Sequence, residues 1–271
     1  MPAGWSGDAF KPNGCRSSLF RGCGKESEIR MKQNHSNHGI TLTEVLVTVA
    51  IIAVLLAVSI PAAKELSRSL EQSVGAGSVI DAALANARAI AIREQKYAGV
   101  RFQRDVEGNT YLTFIIHDPS ATGLANGFRA VDNKKPIPLP ETVGVIADGN
   151  YTDADLTSAA GMNQASTFSV VFNASGKFVL HPVRVRNRDG KTDHTSTDRV
   201  FNTQPNVLAG KAQFVQDDYP TDGYGQEDSV SAFRIYDKKE LQKNSAKPWT
   251  NYLQFLTRDS VNPYTGELIK K

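Results

Sequence analysis

From Ile40 to Ile60 the chain is apolar except at Thr41, Thr43, Glu44, Thr48 and Ser59. Coiled as a helix, this run would span about 31 Å, the thickness of a bilayer's hydrocarbon core. A helix on the surface of a soluble domain keeps a polar face, and this run has none. A secretory signal has an apolar core of only about 7–15 residues followed by a small-residue cleavage site. Ala57-Val58-Ser59 could pass for such a site, but the run is too long and the region ahead of it too extended. A plain membrane anchor explains the apolar residues and leaves Glu44 without a task, although an acid in lipid is costly and usually functional.

The residues around Glu44 carry a more specific pattern: Gly39, Ile40, Thr41-Leu42, Thr43, Glu44, Val45. A glycine, a hydrophobic residue, a Thr-Leu pair and a glutamate four residues after the hydrophobic one resembles the class III leader of type IV pilins and type II secretion pseudopilins. The usual form reads G-F-T-L-I-E-L/V; here Ile40 stands for Phe and Thr43 for Ile or Leu. Pro61 falls where many members carry a helix-kinking proline. The resemblance covers Gly39 to Pro61. It implies cleavage after Gly39 by a prepilin peptidase, N-methylation of Ile40, and a role for Glu44 in neutralising the new amino terminus or guiding methylation.

Charge is distributed in keeping with that expectation. Residues 1–39 hold six basic side chains (Lys11, Arg16, Arg21, Lys25, Arg30, Lys32) and three acidic ones (Asp8, Glu26, Glu28), which is the chain's whole formal charge of +3. The remainder is neutral, so no concentrated basic face points to nucleic acid. A basic segment ahead of an apolar run fits an N-terminus held in the cytoplasm. Both cysteines, Cys15 and Cys23, lie in this leader, and their spacing fits no common metal pattern. A chain starting at Ile40 has none, so no disulfide would staple its exported part. Residues 1–30 read as disordered or as lying ahead of the true start, since Met31–Gly39 would by itself make a leader of ordinary length.

Beyond Pro61 the pattern becomes amphipathic. Leu66 and Leu70 lie four apart, Gly75 and Gly77 soften the helix, and Val79, Ile80, Ala83, Leu84, Ala87, Ile90 and Ala91 recur on one helical face. The expectation is one long helix, kinked at Pro61 and weakened near Gly75, with a break at Gly75–Gly77 as the alternative. From Tyr97 the period falls to two. Candidate strands are Val100–Arg104, Tyr111–His117, Thr142–Ala147, Thr167–Phe172, Phe178–Val185 and Ala232–Tyr236. Glu107-Gly108-Asn109 and Ala174-Ser175-Gly176 read as hairpin turns, and Lys134–Pro140 as an extended proline-rich connector. Residues 148–166 and 186–229 are polar and read as surface insertions rather than core. The tail after Pro248 is too apolar to hang free and should dock on the sheet.

The fold class expected is therefore α+β: a long N-terminal helix, membrane-embedded in its first half, packed on an antiparallel sheet, which is the pilin-like architecture. The segments are 1–39 leader, 40–61 apolar half-helix, 62–97 amphipathic half-helix and 98–271 β-rich domain. Leu84-Ala-Asn-Ala-Arg88-Ala-Ile-Ala91 before a strand, and Phe172-Asn-Ala-Ser-Gly176 before another, resemble the "ARxxAI" helix end and the "F-x-x-x-G" hairpin of the GspH/FimT group of minor pseudopilins.

Catalytic patterns are sparse. His117, His181 and His194 stand scattered in sequence with no second ligand at metal spacing. Gly190-Lys191-Thr192 lacks the glycine a phosphate loop needs five positions earlier, where Val185 stands. The acidic loop Asp217–Asp228 places Asp222 and Gly223 at the fifth and sixth positions counted from Asp218, but Pro220 and Ser229 break a calcium-loop register. The expectation is a filament subunit, no enzyme, with no cofactor and no metal. Its partners would be the prepilin peptidase, other pilin or pseudopilin subunits, an inner-membrane assembly platform and the lipid bilayer. It would be single-pass in the inner membrane, with its C-terminal domain periplasmic. The rival reading is a membrane-anchored periplasmic enzyme or binding protein using residues 98–271.

Overall fold

The computed structural model describes residues 42–217 and 227–270, with the backbone alone for 56–74 and for Lys270. The leader, Gly39 and Ile40 lie outside the described residues, as do 218–226. Contacts divide the chain into Met1–Ala53 and Val54–Lys271. Helix α1 (Leu42–Glu94) is continuous through Pro61, Gly75 and Gly77, so the alternative of a break at the glycines does not hold. The side chains of Leu66, Leu70 and Pro61 lie outside those described.

In Val54–Lys271, Ala76, Ile80, Ala83, Leu84, Ala87, Ile90 and Ala91 form the buried face of α1. Each large aliphatic on that face contributes about 1.5–3 kcal/mol by leaving water. The helix ends at Gln95, which adopts the left-handed conformation (φ 52°), and the chain turns into β1 (Ala98–Arg104). A turn with Gly108 at φ 85° leads to β2 (Thr110–His117), where Asp105 accepts from the amides of Glu107 and Asn109. The expected Glu107–Asn109 turn is thus present.

The next elements are α2 (Pro119–Thr122), β3 (Gly127–Ala130), β4 (Ile137–Pro138), β5 (Val143–Ala147), α3 (Asp153–Thr157), α4 (Ala159–Ser166) and β6 (Phe168–Phe172). After these come β7 (Pro182–Val185), β8 (Phe201–Asn202), α5 (Gln204–Leu208), β9 (Phe214–Val215) and β10 (Glu227–Asp228). The chain closes with β11 (Ala232–Asp237), α6 (Lys238–Lys243), α7 (Pro248–Asn251), a 3-10 turn at Leu253–Phe255, β12 (Asp259–Val261) and β13 (Leu268–Lys270).

A single antiparallel sheet is not what forms. Seven strands make one sheet in the order β10-β7-β3-β2-β1-β6, with β4 also on β2, and its β3–β7 pair is parallel. A second, four-stranded sheet runs β13-β12-β11-β5, and β8–β9 form a short parallel pair. The strand expected at Thr142–Ala147 belongs to the second sheet, because its partner is β11. The expected strand Phe178–Val185 is shortened to β7, because this segment changes partners midway. Phe178 bridges Phe172 and Val179 bonds Val171, whereas Pro182–Val185 lies between β3 and β10.

Alternation along β1, β2 and β6 sends residues to two faces. Val100, Phe102, Leu112, Phe114, Val170 and Phe172 meet α1 and the second sheet in the main core. There Phe102 stacks on Phe168 at 4.6 Å between ring centres, and Phe233 of β11 approaches Phe102 at 5.3 Å. Ile115 and Val171 face the other way, onto Val200, Phe201 and Phe214.

Those last contacts correct the reading of 186–229 as a mere surface insertion: its apolar residues roof the far side of the first sheet. Residues 148–166 are likewise structural. They form α3 and α4, whose Leu156, Met162 and Ala165 pack on Ile146 and Tyr236. Thr152 begins α3 with a capping box to Asp155. The tail docks through Leu253, Val261 and the β11–β12 pairing, but Phe255 and Tyr264 are exposed at 76% and 69%. The proline-rich connector gains two paired residues on β2, Ile137 and Pro138.

Candidate functional site

Residues 42–55 have every side chain exposed, including Leu42, Val45, Leu46, Val47, Val49, Ile51, Ile52, Val54 and Leu55. A contiguous apolar surface of this extent marks an interaction site, whether for protein or lipid. Glu44 occupies the first turn of α1, where the helix dipole favours a negative charge. One turn on, Thr48 turns its hydroxyl back onto the helix, donating to the carbonyl oxygens of Glu44 (2.8 Å) and Val45 (2.9 Å). The hydroxyl is thereby satisfied without water. Among the described residues no helix is long and apolar enough to cross a membrane; the run read from the sequence continues to Ile60, past the side chains described.

The far end of α1 is fixed by a second group of residues. Arg88 Nε donates to the carbonyl oxygen of Gly176 at 2.7 Å. Gly176 (φ 76°) turns the hairpin so closely over the helix that a Cβ there would lie 2.6 Å from Ile92 Cδ1. Asn173 accepts from the amides of Ser175 and Lys177 and holds the turn. From the tail, the Leu268 amide donates to Asp81 of α1 at 2.9 Å. The two short motifs at Leu84–Ala91 and Phe172–Gly176 are therefore in direct contact.

The histidines are less scattered than the sequence implies. The first sheet brings His117 and His181 to 5.5 Å between ring centres, beside Tyr97 and Phe128. Each ring has a backbone partner: His117 Nε2 lies 2.9 Å from the Ala125 carbonyl oxygen, and His181 Nδ1 lies 2.6 Å from that of Pro182. Among the described residues no three His, Cys, Asp or Glu side chains are grouped to hold a metal ion.

The acidic loop holds a feature that sequence reading missed. Its two described ends, Asp217 and Glu227, both bind Arg101, a fully buried side chain of β1. Arg101 Nη1 meets Glu227 Oε1 at 2.8 Å and its Nε donates to Gln103. Asp217 also accepts from the Val185 amide at 2.6 Å. Burial pushes the Glu227 carboxyl above its ordinary range, and Arg101 opposes the shift. These two carboxylates serve an arginine; residues 218–226 of the loop lie outside the described residues. Nothing local in the sequence marked it: Arg101 and Gln103 alternate with Val100 and Phe102 as solvent-facing residues of a strand would.

Set against known protein families, residues 34–60 match the prokaryotic N-terminal methylation motif. No curated protein and no solved structure matches the chain. The matched segment includes Gly39, Ile40 and Glu44 and contains the exposed apolar turns of α1 at 42–55. Residues 34–60 thus carry the class III prepilin leader that marks type IV pilin-like proteins.

Proposed function

We infer that this protein is a structural subunit, a minor pseudopilin of a type II secretion pseudopilus or a subunit of a type IV pilus. It is inserted in the inner membrane with its N-terminus in the cytoplasm, cut after Gly39 and N-methylated on Ile40. The apolar stretch then leaves the bilayer for the low-dielectric core of a filament, where Glu44 neutralises a new amino terminus. The observation that carries this reading is the methylation motif at 34–60, whose helical part exposes every apolar side chain from Leu42 to Leu55. Contact between Arg88 and Gly176 supports the GspH/FimT-like subtype, because it joins the two motifs on which that resemblance rests.

The test is mass spectrometry of the protein from membranes. The expected N-terminus is methylated Ile40. An uncut chain, or one cut near Ser59, overturns the reading. Gly39→Ala should slow cleavage, and a bulkier residue at that position should block it.

A further inference from the structure

A cavity of about 580 Å³ opens between the β1–β2 turn, α4 and α6. Leu156, Met162, Leu241 and Pro248 give it an apolar wall. Across from them, Arg104 at the end of β1 and Lys238 at the start of α6 converge on one acceptor, the Gly108 carbonyl oxygen. Arg104 Nε donates to it at 3.3 Å and Lys238 Nζ at 2.8 Å. Among the described residues neither cation has a carboxylate within ion-pair distance.

The acids nearby do not fill that gap. Asp105 and Glu107 line the same cavity, but Asp105 spends one oxygen on the amides of Glu107 and Asn109, at 2.9 and 2.8 Å, and the other on Asn109 Nδ2 at 3.4 Å, while Glu107 is exposed and also takes Asn109 Nδ2. Burial pushes the Lys238 ammonium below its usual range, and the Arg104 charge adds to the shift; Asp105 and Glu141 only offset it. Tyr236, 3% exposed, also lines the cavity, with its hydroxyl beside the Ser166 side chain and 3.9 Å from the Met162 sulfur, a weak acceptor. The first turn of α4 borders the same space, its Gly161 amide capped by the Ser158 hydroxyl at 3.0 Å.

Two converging cations repel a metal ion and attract an anion, and the wall opposite rewards an apolar group. The geometry points to a binding site for a carboxylate carried on an apolar body. The carboxylate sits between Arg104 and Lys238, and the body lies against Leu156, Met162 and Leu241. An arginine–carboxylate pair is among the stronger hydrogen-bonded contacts available to such a head group. The volume falls among ordinary small-ligand sites of about 300–1,000 Å³. It suits an N-acylated amino acid or the C-terminal residue of a peptide. This site is independent of the filament reading, and either can fail without the other.

The test titrates the full chain in detergent micelles with N-acetyl-L-phenylalanine, followed by NMR. N-acetyl-L-phenylalaninamide, inorganic phosphate and a tripeptide ending in free phenylalanine are run beside it. The acid should saturate the site, with amide and phosphate each weaker by about tenfold or more. Lys238→Met and Arg104→Gln should each weaken the acid by about tenfold, whereas Lys238→Arg should retain it. If Lys238→Met loses the folded spectrum, the Arg104→Gln and Lys238→Arg pair decides alone. Tighter binding of the tripeptide identifies a polypeptide C-terminus as the source, and tighter binding of the free acid a small molecule. Equal binding of acid and amide, equal binding of phosphate, unchanged affinity in the charge-removing variants, or no saturation overturns the proposal.

Discussion

Two stretches of one helix, built from the same aliphatic residue types, meet opposite surroundings. Leu42–Leu55 exposes all its apolar side chains, whereas Ala76, Ile80, Ala83, Leu84, Ala87, Ile90 and Ala91 bury theirs against two sheets. The difference lies in spacing. The second stretch confines its apolar residues to one face and places Asp81, Arg88 and Glu94 around the rest. The first has apolar residues all round, more than one flank of a folded domain could cover. A helix that is hydrophobic on every side belongs inside something. In the proposed filament that enclosure is lipid before assembly and other subunits afterwards.

The largest effect should come from the one acid in the first stretch. A mere anchor would insert better without Glu44, because a charge in lipid is costly. A filament subunit would instead leave the amino terminus of Ile40 without its counter-charge in a low-dielectric bundle. Glu44→Val is therefore expected to leave insertion and cleavage largely intact and to abolish most incorporation into filaments, read by crosslinking or shearing of cells. Unchanged incorporation would reduce the first stretch to an anchor. The matching lesion in the second stretch is Leu84→Ala. Leu84 is fully buried, so the loss should be about 2–5 kcal/mol of domain stability. Leu46→Ala, on a side chain 64% exposed, should leave the domain's thermal midpoint unchanged. If both variants melt alike, the division between the stretches is wrong.

What the sequence disclosed depended on distance along the chain. The buried face of α1, the cores of β1, β2, β6 and β11, and the Gly108 and Gly176 turns all follow from periods and turn residues within a few positions. The leader is legible for the same reason, since a processing signal is linear. Long-range assembly left no such trace. Arg101 finds Asp217 and Glu227 across 116 and 126 residues, and neither acid stands in a patterned segment. Val200, Phe201, Val207 and Phe214 read as stray apolar residues in a polar loop until Ile115 and Val171 are seen beneath three of them. The cavity at Lys238 draws on three separate segments, each ordinary alone.

Acid provides a third test, because the second stretch depends on the domain it packs against and the first does not. Burial raises the Asp118 carboxyl, but hydrogen bonds from Arg129, Ser120 and the Ala121 amide outweigh that and hold it at about 2. A carboxyl lowered by folding stabilises the fold above its unfolded value and loses that contribution as pH falls through the folded one. About 2 kcal/mol should therefore disappear between roughly pH 4 and pH 2. Glu227 has the opposite sign: its raised carboxyl favours folding at low pH, and that contribution is lost as pH rises through its folded value. Thermal midpoints of the wild type should fall over this acid range, and Asp118→Asn should flatten the fall. A fall of the same depth in Asp118→Asn would remove the Asp118–Arg129 pair as its cause.

The smallest expected effect lies just before the buried face begins. Gly75 and Gly77 are helical, and a Cβ at either would meet nothing within 4 Å. No close approach or positive φ calls for glycine there, so both residues cost the helix backbone entropy without a packing return. Gly75 is the cleaner choice, since it is only partly buried and its carbonyl already accepts from the Ser78 hydroxyl at 2.9 Å. Gly75→Ala should stabilise the helix by about 1 kcal/mol, seen as slower amide exchange near Ala76 and a small rise in thermal midpoint. It should do so without changing cleavage at Gly39. Should the variant instead lower the midpoint or reduce filament incorporation, the softness at Gly75 has a purpose, and the two stretches are mechanically coupled through it.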